Sequence, residues 1–116
     1  MTAERFVADF IMHDSLMEDV VIRDNGTTIV MLIDFAFWMQ RWYKKTEPET
    51  GTLKVVFEHV GDYSIPNDTN WDEISILETN ANGSSVKFLL MNDSTDDYLE
   101  IVINSNQITV ENVPEE

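Results

Sequence analysis

Residues 16–35 read LMEDVVIRDNGTTIVMLIDF, and their pattern decides the fold class. Asn25-Gly26 stands between two apolar runs, and both residue types tolerate the positive φ that a tight two-residue hairpin needs. Residues 16–23 and 28–35 are therefore expected to pair as antiparallel strands. In the second run Ile29, Met31, Ile33 and Phe35 share one face, while Val30 and Leu32 share the other with Asp34. A strand that is apolar on both sides over part of its length belongs in the middle of a sheet.

The same signal recurs at Asn82-Gly83, which joins EISILET (73–79) to SVKFLLM (85–91). NDSTDD (92–97) is a polar loop leading into YLEIVIN (98–104), and Ser105-Asn106 reads as a short turn into QITVEN (107–112). TLKVVFEHV (52–60) alternates Leu53, Val55, Phe57 and His59 against Lys54, Val56, Glu58 and Val60, which predicts a strand with His59 on its inward face. The expected fold is mainly β, an antiparallel meander of about seven strands with one or two short helices, or α+β if both helices are long. One helix is predicted over 2–12, where Phe6 and Phe10 stand four apart behind a Thr2 cap. The other is predicted over 36–45, AFWMQRWYKK, with Trp38 and Trp42 four apart and Lys44 and Lys45 at its C-terminus. Pro48, Gly51, Gly61 and Pro66 mark 46–51 and 61–72 as connections.

At 116 residues the chain is expected to be a single domain, 1–116, and 43% hydrophobic residues are enough for a core without staples. With no cysteine, disulfides, thiolate zinc sites and cysteine nucleophiles are all excluded. The opening MTAERFVADFIMHD is broken by Asp9 and is too short in apolar residues for a signal or a membrane span, so a soluble cytoplasmic protein is expected.

The net charge is −15 and unevenly placed. Residues 1–54 carry nine acids and six bases, whereas residues 55–116 carry thirteen acids against Lys87 alone. A surface of that sign repels phosphate backbones and anionic lipids, so direct nucleic-acid or membrane binding is not expected. The aromatic and basic cluster Trp38, Arg41, Trp42, Tyr43, Lys44 and Lys45 is read as tryptophans packing on the sheet with cations facing water, or as a protein-binding patch.

Candidate chemistry is sparse. His13-Asp14-Ser15 brings three suggestive residue types together, but sequence neighbours point in different directions, and Asp14 and Ser15 suit a local turn into the first strand. Asp68-Thr69-Asn70-Trp71-Asp72 matches the opening of a calcium loop, yet Glu73 stands where that loop needs glycine and Thr79 where it needs glutamate. Asp93, Asp96 and Asp97 are read as a solvated turn. No catalytic residue, metal site or cofactor is assigned.

The order of His13-Asp14-Ser15 before the first strand, the Asn25-Gly26 hairpin, Trp38 after the second strand, Phe57 and Val60 in the third and Glu73-Ile74 opening the fourth resembles small bacterial β-rich domains similar to immunity proteins of polymorphic toxin systems. That resemblance implies an inhibitor that binds a cognate toxin, without carrying over any functional residue. The expected function is thus a non-catalytic protein-binding module, immunity-type or inhibitor, engaging a basic partner through acidic loops at 61–73 and 92–97. Asp62, Asp68, Asp72, Glu73, Asp96 and Asp97 would steer the partner around Tyr63 or Trp71 as the aromatic anchor. An acidic mimic of DNA is a variant of this reading. The alternatives are a small metal-dependent hydrolase using His13, Asp14 and loop carboxylates such as Asp68 and Asp72, or a structural subunit.

Overall fold

The computed structural model describes residues 1–36, 40, 50–67 and 69–112. Among these the chain forms a helix, α1 (Ala3–Asp9), and eight strands: β1 (Leu16–Arg23), β2 (Thr28–Ala36), β3 (Thr50–Glu58), β4 (Tyr63–Ser64), β5 (Ile74–Asn82), β6 (Ser85–Asn92), β7 (Tyr98–Asn104) and β8 (Gln107–Asn112). All pairings are antiparallel, in the order β4-β7-β6-β5-β1-β2-β3-β8. The expected mainly β class holds. The expected meander does not hold throughout, because β4 and β8 each leave the strand before them and cross to the far side of the sheet.

Strand β2 is central and buried on both faces over part of its length, as its composition predicts. Ile29, Met31, Ile33 and Phe35 are fully buried inward, and Val30 on the opposite face is 7% exposed between its cross-strand neighbours Val21 and Val56. The two Asn-Gly turns differ from one another. At the first, Arg23 pairs with Thr28, so the loop has four residues, and Asp24, Asn25 and Gly26 all have positive φ. At the second, Asn82 remains in the strand and pairs with Ser85, so Gly83 and Ser84 form the two-residue turn. Gly83 alone takes positive φ there, the pattern of a type II′ turn with glycine first.

Strands β1 and β5 meet at a short seam. Leu16 faces Ser75, Asp14 N–H donates to Ile76 O (3.2 Å), and Ile76 N–H donates to Ser15 O (2.8 Å). Just past the seam each strand carries a bulge, Glu18 in β1 and Leu77 in β5. Bulges sharpen bend and twist, and here they fold the sheet onto itself. The measure of that fold is Phe57 on β3 against Phe88 on β6. Four strand spacings of about 4.8 Å would put them roughly 19 Å apart in a flat sheet, but their ring centroids lie 6.3 Å apart.

Helix α1 fills the fold. Thr2 Oγ1 accepts from Arg5 N–H as the cap, and Phe6 is fully buried with its ring 5.9 Å from Phe57 and 6.2 Å from Phe88. The helix is shorter than the expected 2–12. Phe10 turns extended, and the buried Gln40 side chain engages Ile11 like a strand partner, accepting from its N–H (3.0 Å) and donating to its carbonyl (2.8 Å). The expected helix over 36–45 lies outside the described residues, apart from Ala36, which ends β2, and Gln40.

Two further expectations are corrected. His59 is exposed, not core: β3 ends at Glu58, His59 takes φ 51°, and that reversal of direction hands the inward position to Val60. Ser105-Asn106 does not close a β7–β8 hairpin. Neither residue adopts the positive φ such a turn requires. Buried Ser105 instead donates through Oγ to Glu58 O (2.7 Å), steering β8 onto the free edge of β3.

Candidate functional site

The acids and aromatics singled out from the sequence fall at two ends of the second half of the sheet. Asp62 and Tyr63 belong to one end. There Asn104 N–H donates to Asp62 O (2.8 Å), Gly61 N–H donates to Asn104 O (3.1 Å), and Tyr63 begins β4, a strand inside what was expected to be a plain connection. The Tyr63 ring, 43% exposed, lies over buried Gly26, where an added methyl would stand 2.8 Å from its Cε1. Asp62, Tyr63, Ser64, Ser85, Val102 and Asn104 line a shallow depression of about 220 Å³.

Trp71, Asp72, Glu73, Asp96 and Asp97 belong to the other end, about 20 Å away along β7. The structure brings the turn at Trp71–Glu73 and the 92–97 loop together: Asp93 N–H donates to Glu73 O (2.8 Å), and Ser75 Oγ donates to Asp93 Oδ2 (2.6 Å). Residue types explain the loop's shape, since Asn, Ser, Thr and Asp side chains readily bond nearby backbone. Asn92 Oδ1 accepts from Ser94 N–H (2.9 Å) and Thr95 N–H (3.2 Å), and Asp96 takes φ 60° as the chain returns. Asp93, Asp96 and Asp97 are therefore held exposed on a braced loop. Asp68 lies outside the described residues.

The aromatic at the centre of this end is neither of the two expected. Trp71 is partly buried against the core. Tyr98, the first residue of β7, is 69% exposed, the most exposed large apolar side chain among the described residues. It sits opposite Met91 and two residues from Glu100 on the outer face, and Glu100 pairs with Lys87 at 3.2 Å. The alternation of Tyr98, Glu100 and Val102 against inward Leu99, Ile101 and Ile103 is legible in the sequence and was the signal that marks Tyr98 as outward.

His13-Asp14-Ser15 builds the seam. A turn closed by Ser15 N–H to Met12 O (3.0 Å) puts Asp14 at φ 65°. His13 Nδ1 is 2.7 Å from Leu77 O, and because a carbonyl only accepts, Nδ1 carries the proton. His13 Nε2 faces Asp14 Oδ1 at 3.5 Å, both side chains being about half exposed. Fully buried Ser15 accepts Ala36 N–H through Oγ (2.9 Å), supplying the partner that β1 would have offered had it run further. These contacts join strands. Among the described residues no three His, Asp or Glu side chains converge to hold a metal ion. The one resolved pKa change is remote from both ends: the Asp9 carboxylate, by accepting a hydrogen bond from Arg5 and by its charge, raises the Arg5 guanidinium above its ordinary value.

Comparisons of the chain with protein-family profiles, with characterised proteins and with solved structures find no match. Among the described residues no helix is long and apolar enough to cross a membrane.

Proposed function

We propose that this protein is a non-catalytic binding protein, immunity-type or inhibitor, that engages a basic protein partner through the acidic end of its second half. One observation carries the reading: exposed Tyr98 stands beside Asp96 and Asp97, which have no ion-pair partner among the described residues and are presented on a loop already ordered by Asn92. Ordered carboxylates steer a cationic surface without losing much freedom on binding, and an exposed ring supplies the contact that dehydrates. The same field disfavours phosphate backbones and anionic bilayers as partners.

The test is association with the purified product of the reading frame next to this gene. Binding is expected, with an on-rate that falls steeply as salt rises. Asp96→Asn with Asp97→Asn is expected to slow association about tenfold at low salt and little at high salt. An on-rate for the double variant equal to that of the parent at low salt would remove this end of the sheet as the contact.

A further inference from the structure

The edge of β7 is only partly covered. Along it, Asp97, Leu99, Ile101 and Ile103 direct their backbone groups to β6, as shown by Asn92 N–H donating to Asp97 O (2.8 Å). Tyr98, Glu100, Val102 and Asn104 direct theirs to the opposite side, by the alternation of an antiparallel ladder. There Asn104 meets Gly61 and Asp62, and Val102 meets Ser64. The next position, opposite Glu100, is Pro66 in the same register, and proline has no N–H to donate. Ile65 packs against the core, and β4 stops after two residues. Among the described residues the outward backbone groups of Tyr98 and Glu100 have no hydrogen-bond partner.

We propose that this open edge, Tyr98 to Ile101, receives an extended segment of the basic partner as an added strand. The proposal rests on the reading of a basic partner above and states how that partner is held. Charge and side-chain direction then define the segment. A partner residue opposite Glu100 projects onto the outer face beside that carboxylate and near Asp97, so lysine or arginine fits there. Its neighbours in the segment project inward beside Leu99 and Ile101, partly buried and fully buried respectively, so valine or isoleucine fits there. The recognised pattern alternates basic and apolar residues, with a residue next to Tyr98 able to lie on its ring. A second copy of this chain is disfavoured by a net charge of −15 on each.

In this geometry the residue whose side chain meets Glu100 also points its N–H at β7, and its neighbours point theirs away. A capped heptapeptide alternating lysine and valine is therefore a sharp probe with the full-length protein. The unmodified peptide is expected to bind and to protect the Tyr98 and Glu100 amide protons from exchange. Methylating the lysine amide nitrogens is expected to weaken binding tenfold or more, at roughly a factor of a few per lost hydrogen bond. Methylating the valine amide nitrogens, at equal charge and bulk, is expected to leave binding within about twofold. Equal binding by both methylated peptides would overturn strand addition while leaving attraction of a basic partner intact. Absence of binding by the unmodified peptide at low salt also overturns strand addition, and association with the neighbouring gene product then judges the partner reading separately.

Discussion

The two halves of the sheet follow one plan. β1-β2-β3 and β5-β6-β7 are each a three-stranded meander with an Asn-Gly near the first turn and a bulge close to the seam, and each is completed by a strand from the other half, β8 on β3 and β4 on β7. The sequence shows no matching repeat, so the plan is carried by pattern, not identity. The difference lies in the completing strand. β8 pairs with β3 at six positions, Leu53 through Glu58, while β4 reaches only Val102 and Ile103 of β7 before Pro66. The first half is thus closed along its last meander strand, and the second, more acidic half keeps an edge free. A small positional difference, one proline, separates a structural edge from an available one.

The contacts that join the halves give the largest expected effect. Phe88→Ala removes a ring that touches both Phe6 and Phe57 and is expected to cost about 3–5 kcal/mol, read from the urea midpoint. A cost below about 1 kcal/mol would mean that the halves are stable separately.

The two turns come next. Gly26→Ala places a methyl against the Tyr63 ring at φ 89° and is expected to cost about 3 kcal/mol, whereas Gly83→Ala meets nothing within 4 Å at φ 61° and should cost about 1 kcal/mol. Adding Tyr63→Ala to Gly26→Ala should recover part of the loss, because the clash is gone and only the backbone strain stays. Equal costs at both glycines would show that the ring contact is immaterial.

At the seam, Ser15→Ala strips the buried Ala36 N–H of its acceptor and is expected to cost about 2 kcal/mol, with Ser15→Thr closer to the parent. The smallest effect sharpens the contrast between edges. Pro66→Val restores a donor opposite Glu100 and is expected to change stability by no more than about 0.5–1 kcal/mol, while slowing amide exchange at Glu100 as β4 lengthens. No gain in protection there would mean that something other than the proline ends β4.

Local pattern carried much of the fold. The strands at 16–23 and 28–35, the burial of β2 on both faces, the Thr2 cap and the inward Phe6 were all legible, because alternation and turn chemistry act over a few residues. Of the candidate site, the acids of the 92–97 loop and the turn at Trp71–Glu73 were legible as exposed polar stretches, and they do come together. Asp62 and Tyr63 were grouped with them because the intervening chain reads as one loop, and β4 was too short to show in any periodic window.

What the sequence determined by itself was that the chain is an antiparallel β protein with a negative second half, since side-chain alternation, glycine and asparagine turns and carboxylate count are local quantities. What only the tertiary structure decided was which strands become neighbours. Ser105 sends β8 to β3, Gln40 claims Ile11, His59 turns out of the core, and Tyr98 emerges as the exposed ring through contacts between residues far apart in the chain. Such choices depend on which edge is still open when a strand arrives, and no short stretch of sequence carries that information.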